Sequence, residues 1–290
     1  MLKYRLIFGT LMILFFTAVV IVDGWLDGSL TASAADKPVQ GTILCILIAA
    51  LIILAQFEFS KLVAAKNFKI FMPVSIIASI LFATCWYWPQ FVKVSPAIYL
   101  CLLSAFTLLA LLLYQYIHYG TSAVLANCGV NYFSVIYLGL LNSFCVAIRI
   151  KFGTWPLLMF VFVIKSADMG AYAIGSSFGK RQFSPKISPD KTWEGMAGAV
   201  ATAIIVAILF AVICDIMVWW LAAIFGLCFA FIGQVGDLAE SMMKRDAEQK
   251  DSANNVPGFG GILDIIDSPL AAAPFAYLFF LFIAGNPILQ

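Results

Sequence analysis

Two carboxylates three residues apart, Asp264 and Asp267, open a long apolar run directly behind the glycine-rich segment PGFGG at 257–261. Asp237 closes another apolar run upstream. Ionised acids in or beside a lipid-spanning helix are costly to bury, so they normally face an internal cavity and mark a functional site. Asp237 and Asp264 bracket the polar stretch 236–267, and folding that stretch back brings two carboxylates together. Carboxylates, waters and phosphate oxygens are the ligands Mg²⁺ takes, so Asp237 and Asp264 are the expected metal ligands. Gly260 and Gly261 let backbone approach a ligand closely. The plainer reading, helix-capping acids beside a flexible loop, accounts for Asp237 but poorly for Asp264 and Asp267.

Two further clusters lie nearby. Lys165 and Asp168 are i, i+3 neighbours, able to pair on one helix face as a structural ion pair or to line a polar cavity as acid and base. The segment SPKISPDKTWEG at 184–195 is stiffened by Pro185 and Pro189 and carries Ser188, Lys191 and Thr192. A loop of this kind at a helix start can cradle phosphate on free N–H groups. It is not a GxxxxGK[ST] loop, and a basic loop on the inner face also serves as a simple topological anchor. The stretch DLAESMMKRDAEQKD at 237–251 predicts an amphipathic helix, with Leu238, Met242 and Met243 able to lie on the membrane interface.

These residues must be positioned by membrane-spanning helices. The chain of 290 residues is 63% hydrophobic and only 11% charged, where a soluble domain carries roughly a quarter. Nine spans are expected, at about 4–22, 41–57, 70–88, 97–117, 132–149, 155–176, 196–214, 217–236 and 262–284. The first is read as a retained helix rather than a signal peptide. Placing the N-terminus in the cytoplasm puts twelve of the seventeen Lys and Arg residues on the inner face, with Arg149 and Lys151 against the trend. The polar cavity then opens to the cytosolic side. The loop 23–40, with Asp23 and Asp27, reads as a plain solvated connection. Residues 1–150 read as a scaffold of five helices, and 151–290 as a working region of four helices and two cytosolic loops. The seven scattered cysteines and the lone His118 give no metal or disulfide pattern. An ion- or proton-coupled transporter could use the same embedded charges, but the inverted repeat that supports that class is not found.

The run Ser241-x-x-Lys244-Arg245-x4-Lys250-Asp251, followed by Pro257-Gly258-x-Gly260-Gly261-x-x-Asp264-x-x-Asp267, resembles the signature of phosphatidate cytidylyltransferases (CDP-diacylglycerol synthases). SPDKTWEG at 188–195 and DMGAYAIGSSFGKR at 168–181 resemble that family's other two marked regions, in the same order. The resemblance covers about residues 155–285. It implies transfer of a cytidylyl group from CTP to phosphatidic acid, with Mg²⁺ as cofactor and room for a second cation. It further implies a homodimer in the inner (cytoplasmic) membrane of a bacterium, with no nucleic-acid partner. Asp237, Asp264, Lys191, Asp267, Lys244 and Arg245 would be catalytic. Ser188, Thr192, Lys165, Asp168, Ser241, Lys250, Asp251, Gly260 and Gly261 would bind substrate. Two positions depart from the family pattern: Phe259 stands where relatives have His, and Ile265 where they have Arg. Neither can donate a hydrogen bond from its side chain, so the chain is either a working enzyme that dispenses with both or a catalytically weakened lipid-binding relative.

Overall fold

The computed structural model describes residues 2–30, 39–92, 94–249 and 260–286. Ten helices follow in order: α1 (Leu2–Leu26), α2 (Thr42–Ala64), α3 (Met72–Ala83), α4 (Pro96–Tyr119), α5 (Val124–Val135), α6 (Leu141–Phe152), α7 (Thr154–Phe178), α8 (Trp193–Ile213), α9 (Trp219–Asp246) and α10 (Ile262–Ala284). There is no strand among the described residues, as expected where every backbone group in lipid must be satisfied within its own segment. Among the described residues, eight helical segments are long and apolar enough to cross a bilayer; α5 and α6 join through a π-turn at Ile136–Leu140 to form one of them. The chain is an integral membrane protein.

The expected third span is cut short. α3 holds 12 residues, about 18 Å at 1.5 Å per residue, against a hydrocarbon core of ~30 Å. The apolar run continues to residue 88, but Thr84 turns its hydroxyl back onto the Ile80 carbonyl at 2.7 Å and accepts the Trp88 indole N–H at 2.9 Å. Pro89 then sits in a short 3-10 turn, Trp88–Gln90. The rings of Tyr87, Trp88 and Phe91 cluster there, centroids 5.4–6.3 Å apart, the composition of a membrane–water interface. Eight long spans plus this short one replace the nine expected.

Packing divides the chain into two compact units, residues 1–150 with 246–265 and residues 151–245 with 266–290. In the first unit Asn131 acts as a four-way clamp. Its side chain accepts the Phe71 N–H at 2.6 Å and the Ser75 hydroxyl at 2.8 Å, and donates to the carbonyls of Lys69 and Asn127, both at 2.7 Å. The loop between α2 and α3 is thereby fixed on α5.

The same unit overturns the reading of 23–40 as a solvated connection. α1 runs on to Leu26, and Asp23 and Asp27 are buried against Arg149, which is fully buried in α6. Arg149 Nε lies 3.0 Å from Asp23 Oδ2, and Nη2 lies 2.6 Å from Asp27 Oδ2 and 3.1 Å from Ser29 Oγ. Asp23 also accepts the Ile43 N–H at 2.8 Å, at the start of α2. A charge that looked like an exception to the inner-face bias is neutralised inside the protein. The cysteines are free thiols. Burial pushes Cys85 up to about 11, leaving it a neutral, inert filler.

In the second unit, small residues bring helices into close approach. A Cβ on Gly170 of α7 would lie 2.6 Å from the Gly198 carbonyl of α8, and one on Gly226 of α9 would lie 2.6 Å from Ile204 Cα. α8 starts at Trp193, three residues before the expectation, because the Thr192 hydroxyl caps it by accepting the Gly195 N–H at 3.1 Å. The span expected to end at 236 and the helix expected over 237–251 form one element. α9 continues for 28 residues to Asp246, ~42 Å at 1.5 Å per residue. Seven of its last ten residues, Leu238, Ala239, Glu240, Met242, Met243, Lys244 and Arg245, are good helix formers. Glu240, Ser241 and Lys244 are buried in the protein rather than displayed on a membrane surface.

Candidate functional site

On α9, Gln234, Asp237, Glu240, Ser241 and Lys244 recur every three or four residues and so share one helix face. That face meets α10 at Gly236. A Cβ there would lie 2.8 Å from Ala271 Cβ, 3.1 Å from the Asp267 carbonyl and 3.2 Å from Ser268 Cα. Glycine at 236 therefore sets how near Asp237 and Glu240 come to Asp267. The result is a group of three carboxylates, Asp237, Glu240 and Asp267, with one oxygen of each within 4.8 Å of the others.

Three negative charges at this spacing repel strongly when two of them, Glu240 and Asp267, are buried. Part of the repulsion is offset within the protein. Lys191 Nζ sits 2.7 Å from Asp237 Oδ2, and Lys244 Nζ sits 3.1 Å from Glu240 Oε2. Asp267 Oδ1 accepts the Ser268 N–H at 2.6 Å and its hydroxyl at 3.3 Å, and the Ser241 hydroxyl donates to Asp237 Oδ1 at 3.3 Å. All-oxygen donors of this kind suit a hard divalent cation.

Lys191 reaches the group because its loop folds back on itself. Gln182 and Thr192 pair as an isolated bridge, the Phe183 N–H donates to the Lys191 carbonyl at 3.1 Å, and the Trp193 N–H donates to the Arg181 carbonyl at 2.9 Å. Glu194 Oε2 accepts the N–H groups of Lys180 and Arg181, each at 3.1 Å. Arg245 Nε holds the loop from α9 by donating to the Ile187 carbonyl at 3.1 Å. The Lys191 ammonium also donates to the Gln234 carbonyl at 3.3 Å, and Gln234 Nε2 reaches Asp168 Oδ1 at 3.5 Å. Asp168 in turn pairs with Lys165 at 3.3 Å. The Lys165–Asp168 pair is thus the far end of a polar chain through α7, the Lys191 loop and α9, rather than an isolated pair.

The structure brings together Lys165, Asp168, Lys191, Asp237, Ser241, Lys244 and Asp267. It assigns Arg245 to bracing the loop and the Thr192 hydroxyl to capping α8. The Ser188 backbone shapes the turn before Lys191, whose N–H donates to the Ser188 carbonyl at 3.3 Å. Asp264 belongs to the first unit, where its Oδ2 accepts the Gly261 N–H at 2.7 Å. Gly260 has φ +92°, a conformation that favours glycine. Lys250, Asp251 and Phe259 lie outside the described residues.

Sequence reasoning missed Glu240 and Gln234 in this group, and Glu58 in the first unit. Glu240 is three residues after Asp237 and four before Lys244, a spacing that places all of them on one face. Gln234 precedes Asp237 by three. Glu58, the one acid in the apolar run of α2, is buried in the first unit, and the rule that flagged Asp237 applies to it equally.

The sequence model of the cytidylyltransferase family matches residues 3–283, nearly the whole chain. The chain is 40% identical over 147 residues to phosphatidate cytidylyltransferase of Bacillus subtilis, covering 50% of this chain and 55% of that protein. It is 42% identical over 133 residues to the enzyme of the same name from Haemophilus influenzae, covering 44% and 46%. A third relative of that name, from Mycobacterium tuberculosis, is 40% identical over 124 residues, covering 43% and 38%. The chain therefore spans about half the length, or less, of the curated relatives it matches. With the match of the family model along almost its full length, the chain belongs to the cytidylyltransferase family.

Proposed function

We propose that this protein transfers a cytidylyl group from CTP to phosphatidic acid, giving CDP-diacylglycerol and pyrophosphate. The observation that carries the reading is the charged group on α9 and α10, with Lys191 folded onto it, inside a membrane protein whose named relatives are phosphatidate cytidylyltransferases. In this reaction a phosphate oxygen of the lipid forms a bond to the α-phosphorus of CTP. The bond from that phosphorus to the bridging oxygen breaks, and pyrophosphate leaves with the electron pair. The attacking phosphate is already ionised near neutral pH, so no strong general base is required, and the absence of an imidazole at Phe259 is compatible with turnover. Catalysis of this type rests on positioning and charge neutralisation.

The carboxylates of Asp237, Glu240 and Asp267 fit an Mg²⁺ ion by donor type, and Asp264 is retained as a ligand candidate on the motif alone. A bound Mg²⁺ would supply phosphate-charge neutralisation and orientation of the α-phosphoryl group. Lys191 is placed to exchange Asp237 for a phosphate oxygen when nucleotide enters. Lys244 holds Glu240 in its rotamer, and Arg245 keeps the Lys191 loop on α9. The twelve basic residues on the inner side favour a cytoplasmic N-terminus, and with it a site open to cytosolic CTP. The same reading includes a bacterial inner membrane and a homodimer.

Phe259 and Ile265 favour a second reading, a lipid-binding relative with weakened catalysis. Purified protein in detergent, given phosphatidic acid, Mg²⁺ and CTP labelled on the α-phosphate, separates the two. Label moving into the lipid fraction supports the transferase. Lipid binding without label transfer supports the weakened relative.

A further inference from the structure

α10 begins without a helix-capping side chain of its own. The residue before it, Gly261, offers none of the Ser, Thr, Asp or Asn oxygens that normally satisfy the first free N–H groups of a helix. Within the first unit, the cap is supplied by a residue about 200 positions upstream. Glu58 in α2 is 1% exposed. Its Oε1 accepts the Ile262 N–H at 3.0 Å, and its Oε2 accepts the Leu263 N–H at 2.9 Å. Asp264, the third residue of the helix, reaches back to the Gly261 N–H at 2.7 Å. Three consecutive N–H groups at the start of α10 are therefore held by two carboxylates, one from α2 and one from α10 itself.

This division matters for Asp264. In an ordinary capping box, the N-cap side chain and the third-residue carboxylate each satisfy a backbone donor. Here Glu58 takes the N-cap role, and its negative charge faces the positive end of the helix dipole. The turn carrying Gly260, Gly261 and Asp264 is thus pinned at a fixed height on α2. We propose that Glu58 is a positioning residue for the reaction: it holds the first turn of α10, and with it the motif residue Asp264, in one orientation. This rests on the transferase reading above. It assigns a role to a residue of α2, a helix that the motifs do not reach.

The test uses the full-length chain in nanodiscs and the variants Glu58→Ala and Glu58→Gln. Ala removes both acceptors, whereas Gln keeps one oxygen and the side-chain length. The first readout is amide hydrogen exchange in the peptide containing 262–263, which needs no catalysis. Exchange should rise at least tenfold in Glu58→Ala and less in Glu58→Gln. The second is the Mg²⁺ concentration giving half-maximal cytidylyl transfer, which should rise at least fivefold in Glu58→Ala, with partial recovery in Glu58→Gln. Unchanged exchange in Glu58→Ala overturns the cap. Raised exchange with an unchanged Mg²⁺ midpoint overturns the positioning role and leaves a structural cap. If Glu58→Ala does not fold, Glu58→Gln alone decides: raised exchange with a shifted midpoint supports the proposal, and wild-type values in either overturn it. A wild-type chain that transfers no label contradicts the transferase reading and with it the positioning role, while the exchange result still reports the cap.

Discussion

Gly236→Ala tests how the carboxylate group is assembled. The added Cβ would lie 2.8 Å from Ala271 Cβ, 3.1 Å from the Asp267 carbonyl and 3.2 Å from Ser268 Cα. Carbon atoms in contact settle at about 3.5–4.0 Å, so α9 and α10 must separate by about 1 Å at this level. Neither Ala271 Cβ nor the α10 backbone is the end of a flexible chain that could swing aside. Overpacking of this kind costs about 1–3 kcal/mol in stability. The larger effect falls on chemistry, since Asp237 and Glu240 move away from Asp267, and a 1 Å misplacement at a reacting centre can lower the rate about 10²-fold. Gly226→Ala is the matched comparison. Its Cβ would meet Ile204 Cα at 2.6 Å, an equally tight approach ten residues earlier on α9. Both variants should lose stability to thermal unfolding in detergent. In a cytidylyl-transfer assay normalised to folded protein, Gly236→Ala should lose at least tenfold in kcat, whereas Gly226→Ala should stay within about threefold of the parent. Equal kcat values for the two variants would refute the claim that the 236 contact sets the site.

Removing the Lys191 ammonium with Lys191→Ala should lower kcat/KM for CTP at least tenfold, corresponding to about 1.4 kcal/mol; Lys61→Ala, basic but outside the site, should change little, and equal effects would point to a general topological role. Glu240→Gln keeps shape but removes one of the three charges, so the Mg²⁺ midpoint for turnover should rise several-fold, and an unchanged midpoint would remove Glu240 from the cation group. Arg149→Ala leaves Asp23 and Asp27 buried without their partner, a loss of about 3–5 kcal/mol visible as a lowered unfolding midpoint; wild-type stability would show that the triad is not held dry. Single reversions, Phe259→His or Ile265→Arg, should be neutral or harmful to activity, because each brings in one polar group of the family pattern without the other. A tenfold gain from Phe259→His alone would identify the chain as an enzyme lacking a needed imidazole.

The long apolar runs were legible because a span of lipid demands a minimum length, and α4, α7 and α10 follow them to within a few residues. α3 was not, because its end is set by Thr84 turning back on Ile80 and by Pro89, local chemistry hidden inside an apolar stretch. The end of α9 differs for another reason: polarity after Asp237 suggests exit from the membrane into a separate helix, yet Glu240 and Lys244 pair on one buried face and α9 continues unbroken to Asp246. At the site, Asp237, Asp267 and Lys191 were recognisable from residue type and spacing. Glu240 has the same spacing, but it lies inside a run of mixed charges, Glu240 to Lys250, that reads equally well as a solvated helix face. Glu58 and the Asp23–Arg149–Asp27 triad are made by residues more than one hundred positions apart, and periodicity carries no trace of such pairings. Asp264 illustrates the opposite case, a motif residue whose near partner, the Gly261 N–H, is backbone and carries no sequence signal.

The central claim is that the acids on α9 and α10 hold the cation for cytidylyl transfer. Wild type and Asp237→Asn should be compared in nanodiscs containing phosphatidic acid, with CTP labelled either on the α- or on the γ-phosphate and Mg²⁺ titrated. The account predicts that wild type moves α-label into lipid and γ-label into pyrophosphate in an Mg²⁺-dependent manner. Asp237→Asn should insert and fold normally yet transfer less than one hundredth as much at any Mg²⁺ concentration. Label from the γ-phosphate in lipid, or near-normal transfer by Asp237→Asn at low Mg²⁺, would contradict it.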